Sequence, residues 1–241
     1  MKLTIKDPPN WGNDQLSDFI RQAYENTFAT FVNLKPNFER LRRIDEAFRK
    51  ATDCLYNTRD WFPSFFLFRA HSAYLGAIRL SMSAQVIESY MVLRGCLEAS
   101  LYGFFIAKRT EAKQIWLDRH EGEEALKVMK NVFQIRPIFE FLERTDDKLH
   151  CAIRELYERT IDLGAHPNPS GVLGTMKVKE DGDLVNFHVD YLTNDSAQQH
   201  LSLKTTAQVG IGALMLFRYV YPERFEIVGL YEEIKQLSQG L

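Results

Sequence analysis

Apolar residues recur at helical spacing through most of this 241-residue chain. Leu16, Phe19, Ile20, Ala23 and Phe31 follow steps of three to four, which predicts a buried face on a first helix capped by Asn13 or Asp14 and ended by Pro36. A second stripe, Phe38, Leu41, Ile44, Phe48, Ala51 and Leu55, predicts a helix over 36–56. The cluster N-T-R-D-W-F-P-S at 57–64 breaks it and offers Asp60 as a cap, with Pro63 early in the next helix.

From Pro63 to Lys108 the pattern stays helical. An unbroken helix of that length would span about 70 Å, too long for a compact domain of this size, so a break is expected near Gly76 or at Ser81–Ser83. The half that follows, Q-V-I-E-S-Y-M-V-L-R-G-C-L-E-A-S-L-Y-G-F-F-I, is apolar on most sides and predicts the long central helix of a bundle. Shorter helices are expected over 111–130, 132–144 and 146–163.

The period then changes. Between 174 and 191 two alternating runs flank Asp181-Gly182, a turn signal that sets Val178 opposite Val185 and Met176 opposite Phe187. Such a hairpin is marginal by itself, so its apolar face is expected to lie on the helices. Helices resume over 196–219, capped by Asp195 or Ser196, and over 222–238, with Pro222 in the first turn. No repeat, low-complexity tract or long linker interrupts the chain. The expected fold is a mainly α multi-helix bundle with a long central helix and one inserted β-hairpin, in a single domain over 1–241.

Composition narrows the partners. Thirty basic and 32 acidic residues leave a net charge of -2, so no global field draws the molecule to nucleic acid or anionic lipid. The densest basic run holds Lys35, Arg40, Arg42, Arg43, Arg49 and Lys50 and reads as the solvated face of the second helix. Cys54, Cys96 and Cys151 lie far apart without a disulfide framework, which fits a reducing compartment. The first ten residues lack the apolar core of a signal peptide, and the most apolar window, 84–107, contains Glu88, Arg94 and Glu98. A cytoplasmic protein without a membrane span is expected.

The Walker, dinucleotide-binding, nucleophile-elbow and H-E-x-x-H motifs are all missing from the sequence, as is a Glu three residues before any histidine. Asp162 with His166, and Asp147 with His150, could each supply two metal ligands. Two ligands do not make a site, so neither metal nor other cofactor is expected.

Two polar pairs remain. Arg94 and Glu98 stand one turn apart on the apolar central helix, close enough for an ion pair that either fixes helix register or lines a polar pocket. Arg159 and His166 are seven residues apart, which in an α-helix puts them on one face about 10 Å apart, with Asp162 between them. Imidazole can move a proton and guanidinium can hold a phosphate, the two parts that metal-free RNA cleavage needs. Pro167 and Gly164 place His166 at the helix end, where the helix dipole gives it a structural role as well, next to the loop that holds Asn168.

With R-G-C-L-E-A at 94–99 and R-x6-H at 159–166, the helical chain resembles the HEPN superfamily and related bacterial all-helical families. The resemblance implies an all-helical, usually dimeric protein and, in many members, a metal-independent ribonuclease of a defence or toxin system. It would make Arg159 and His166 catalytic, supported by Arg94 or Glu98. The residue after the motif arginine is often Asn, Asp or His in that superfamily and is Thr160 in this chain. The alternative is a non-catalytic helical binding or regulatory module, dimeric, in which Arg94, Glu98 and the loop from His166 to Gly171, with Asn168, are structural or contact a partner protein in place of RNA. The near-neutral charge favours the alternative.

Overall fold

The computed structural model describes residues 8–53, 60–167, 169, 173, 176–181 and 184–241. Among them are eleven α-helices and one antiparallel strand pair. The chain runs through α1 (Gln15–Asn33), α2 (Lys35–Thr52), α3 (Pro63–Met82), α4 (Val86–Lys108), α5 (Thr110–Leu117), α6 (Glu123–Val132), α7 (Ile135–Thr145) and α8 (Asp147–Thr160). Strands β1 (Met176–Asp181) and β2 (Leu184–Val189) follow, then α9 (Ser196–Val220), α10 (Pro222–Ile227) and α11 (Leu230–Ser238). The fold is a mainly α multi-helix bundle.

Local chemistry accounts for most boundaries. Asp14 caps α1 by accepting from the amides of Leu16 and Ser17, and Asp195 caps α9 through Ala197 and Gln198. The predicted break after α3 falls at Ser83–Gln85, where Ala84 adopts a positive φ of 68°. Two predicted helices are split: 111–130 by a 3-10 turn over 118–120, and 222–238 by the left-handed Gly229 (φ 66°).

Helix α4 forms the middle of the bundle, with α3 and α9 as its principal neighbours. Leu93, Cys96, Leu97, Leu101 and Phe104 on α4 are wholly buried. The three helices also share a ladder of buried hydroxyls. Ser81 is 3.0 Å from Thr206 and 2.8 Å from Ser202, and Ser202 is 2.9 Å from Ser89. Every member has a partner, so the ladder avoids the cost of lone buried hydroxyls. Its small side chains also let the helix axes come close.

Glycine serves the same approach. A Cβ at Gly210 would stand 2.6 Å from the Tyr74 ring and 2.8 Å from Ile44, and one at Gly212 would stand 2.6 Å from Ile153. Helix α2 packs Leu41, Ile44, Phe48 and Ala51 of its predicted stripe into this core together with Ala47, while Phe38 is partly buried and Leu55 lies outside the described residues. On its outer face Arg42 pairs with Glu39 and Glu46, Arg49 with Asp45, and Lys50 with Glu233. Three of the six basic residues of the run, Arg42, Arg49 and Lys50, are thus paired with carboxylates within the fold.

Two expectations of packing are overturned. The predicted buried face of α1 points outward: Leu16 is 69%, Ile20 41% and Phe31 41% exposed, and of that stripe only Ala23 is buried. The helix docks largely through small and polar groups, with the Phe31 ring edge-on to Phe38 of α2 at 4.8 Å. Thr30 donates to the Met82 carbonyl at 2.8 Å, Asn26 reaches the Ser83 carbonyl at 3.4 Å, and Gln199 donates to Thr30 at 2.6 Å.

The hairpin differs in register and in placement. Val178 pairs with Phe187 and Met176 with Val189, and Asp181 with Leu184. The register is thus offset by two residues from the expected one, and Gly182 of the expected Asp181-Gly182 turn lies outside the described residues. Val178, Val185 and Phe187 are each more than half exposed, so the apolar face does not lie on the helices. What ties the segment after β2 to the bundle is the Thr193 amide on the Ala84 carbonyl at 2.9 Å and the edge contact of Tyr191 with Phe19 at 6.3 Å.

Gly210→Val should lower unfolding stability by roughly 2–3 kcal/mol, because Tyr74 and Ile44 cannot both retreat in a packed core. Urea unfolding followed by circular dichroism measures it; an unchanged midpoint would contradict the tight crossing.

Candidate functional site

Helix α8 separates the two polar pairs found in the sequence. Residues two apart on a helix point about 200° away from each other, so Tyr157 and Arg159 face different neighbours. Tyr157 turns to α4 and Arg159 to α9.

On the α4 side, Arg94 Nε donates to Glu98 Oε1 at 2.9 Å and its Nη2 donates to the Tyr157 hydroxyl at 2.9 Å. The Tyr157 hydroxyl in turn donates to Glu98 Oε1 at 3.1 Å, closing a triangle. The Arg94 and Glu98 side chains are 23% and 41% exposed, so the pair is half-buried and not the interior ion pair that the apolar helix suggests. Burial, followed by the charge of Glu98, pushes the Tyr157 hydroxyl up to about 12. Burial, the largest single effect, would lower Arg94, but its hydrogen bonds to Glu98 and Tyr157 and their charges together outweigh it, and the guanidinium is held more firmly protonated.

On the α9 side, Arg159 Nη1 donates to Gln208 Oε1 at 2.7 Å and to Thr205 Oγ1 at 3.3 Å, while Nη2 donates to Glu155 at 2.6 Å. The guanidinium thus turns in to the bundle, against α9 and away from Glu98. It fastens α8 to α9 through neutral partners with one carboxylate at the rim.

The connection to His166 is not α-helical. After Thr160 the chain opens into a wide π turn over Ile161–Ala165, and His166 is extended, with φ -130° and ψ 148°. Gly164 permits this turn: its φ is 158°, and a Cβ there would stand 2.7 Å from the Ile87 carbonyl oxygen of α4. Seven residues that include a wide turn no longer return to the starting face, which removes the geometric premise for a shared Arg159–His166 face. His166 is exposed, as is Asp162. Asn168 lies outside the described residues.

A groove of about 660 Å³ runs beside Arg159, lined by His150, Cys151, Arg154, Glu155 and Asp162 among others, but not by His166. The structure therefore brings Arg94, Glu98 and Tyr157 together, brings Arg159 and Asp162 to one groove, and leaves His166 beyond it. Tyr157, Thr205 and Gln208 were missed in the sequence because each meets its arginine across a helix interface, and no local spacing encodes that.

Comparison with known proteins adds no relative: no family model, curated protein or solved structure matches the chain. Among the described residues no helix is long and apolar enough to cross a membrane.

The triangle sets two expectations. Glu98→Ala should cost about 1–2 kcal/mol, the range for a partly solvated charged hydrogen bond, and not the 3–5 of a fully buried pair; chemical denaturation separates these outcomes. Tyr157 binds its proton more tightly folded than unfolded, so its contribution is intact below about pH 10 and lost as pH rises toward about 12. Across that window Tyr157→Phe should reduce the fall of stability with pH by one proton's worth; an unaltered slope would show that the hydroxyl is not perturbed.

Proposed function

We propose that the chain is a non-catalytic helical binding module that pairs with a second copy of itself through α1. The observation that carries this reading is the outward stripe of Leu16, Ile20, Tyr24, Phe28 and Val32, spaced four residues apart and each at least 41% exposed. At 1.5 Å per residue it runs about 24 Å along the helix. Tyr24 and Phe28 already meet edge to face, with centroids 4.8 Å apart. Exposed aromatic surface of this kind is characteristic of interface centres, and a soluble monomer seldom leaves a long apolar stripe in water.

Charge placement supports a second copy as the occupant. The stripe contains no charge and is symmetric in spacing about Tyr24. Arg21, which also pairs with Asp18 at 2.6 Å, and Glu25 lie on either side of Tyr24 in the sequence. In an antiparallel pair related by a twofold axis, Arg21 of one copy comes beside Glu25 of the other, twice over. Ridges formed by residues four apart also pack well against their own kind.

The ribonuclease reading draws support from a different observation, the guanidinium groups of Arg154 and Arg159 and the imidazole of His150 along one groove. It requires RNA cleavage that survives chelation and disappears in His166→Ala.

Sedimentation of the intact chain over a wide concentration range tests the pairing. A dimer is expected, with Tyr24→Glu, an exposed position, giving a folded monomer. A chain that stays monomeric, or a dimer indifferent to Tyr24→Glu, overturns the reading.

A further inference from the structure

The first turns of α8 carry a cluster of which the functional readings use His150 alone. Asp147, His150 and Cys151 stand at i, i+3 and i+4, so one helix face presents a carboxylate, an imidazole and a thiol. One ligand atom from each lies within 4.8 Å of the other two. Asp147 Oδ1 is 3.9 Å from His150 Nδ1 and 3.8 Å from Cys151 Sγ.

The second observation concerns the imidazole. His150 is 6% exposed, and its Nδ1 is buried without a hydrogen-bond partner. The Phe139 ring stands edge-on to it at 5.8 Å, closing the apolar side. A buried nitrogen left in that state costs about 1–3 kcal/mol, and here it is directed to a carboxylate too far away for a hydrogen bond but at a spacing suited to a shared ion. Asp147 and Cys151 are exposed and can adjust.

We propose that Asp147, His150 and Cys151 bind one zinc-type divalent ion. A thiol and an imidazole together select zinc over magnesium or calcium. The carboxylate and thiolate would balance its two positive charges, with His150 neutral. In a tetrahedral zinc site neighbouring ligand atoms lie about 3.4–3.7 Å apart, so the two measured separations need to close by only a few tenths of an ångström. The His150–Cys151 edge closes by rotation of the exposed thiol.

The scaffold is already fixed. Asp146 caps α8 at the Leu149 amide, accepts the His150 amide on its backbone carbonyl at 2.9 Å, and accepts the Tyr219 hydroxyl at 2.6 Å. The fourth coordination position faces out, where water or a small anion completes the site. His150 and Cys151 also line the groove of Arg154 and Arg159, which would place an anionic fourth ligand between metal and guanidinium.

The test is titration of the intact, reduced, chelator-treated protein with Zn²⁺ by calorimetry and with Co²⁺ by absorbance. One equivalent should bind, with a thiolate-to-cobalt band and tetrahedral ligand-field bands. Cys151→Ser should abolish the thiolate band, and Cys151→Ser and Asp147→Asn, both at exposed positions, should each weaken zinc binding by more than about tenfold, or more than 1.4 kcal/mol. His150→Gln is expected to do the same; should it fail to fold, the two exposed variants decide the matter. Absence of saturable binding, or binding unchanged in Cys151→Ser and Asp147→Asn, overturns the proposal.

Discussion

The close crossing of α9 with α2, α3 and α8 is the constraint on which the rest of the bundle depends. Close-packed interiors tolerate neither voids nor overlap, so helices approach this tightly only where side chains are small. Gly210 and Gly212 supply that on α9, meeting Tyr74 and Ile44 on one side and Ile153 on the other. The hydroxyl ladder of Ser81, Ser89, Ser202 and Thr206 extends it toward α4 without leaving a buried polar atom alone. A bulkier α9 would move α8 outward, and with it Tyr157, Arg159, His150 and Cys151.

The orientation of α8 then distributes its chemistry. Tyr157 meets Arg94 and Glu98 on α4, Arg159 meets Gln208 and Thr205 on α9, and His150 and Cys151 remain at the helix start beside the groove. Both arginines are held by protein partners, which suits fastening helices better than gripping a scissile phosphate. The wide turn at Gly164 follows from the same packing, because the backbone of α4 at Ile87 leaves no room for a Cβ.

Periodicity made most helices legible, since a continuous apolar stripe such as that of α2 can bury itself in only one way. Caps at Asp14 and Asp195 and the break at Ser83 were legible for local reasons. The same logic failed on α1, where a good stripe turns outward because the surface it lies on offers carbonyls and small residues, information held elsewhere in the chain. It failed again at the hairpin, where alternation identifies which residues share a face but not whether anything covers it. At the candidate sites, Arg94–Glu98 was visible through its one-turn spacing and Tyr157 was not. Asp147 with His150 was visible as a pair, while Cys151, one residue further on, shares their helix face and completes a D-x-x-H-C spacing.

The manner in which α1 is attached has a dynamic consequence. Ala23 and Thr30 are its buried contacts on α3's side, and the hydrogen bonds from Asn26, Thr30 and Gln199 can each be exchanged for water. Little apolar area is lost when the helix lifts, so its backbone amides should exchange hydrogen through a local opening far cheaper than global unfolding, while those of α4 and α9 wait for the whole bundle to come apart. The helix with a long apolar stripe facing water is thus held largely by contacts that water can replace, so whatever covers that stripe also sets how long α1 stays in place.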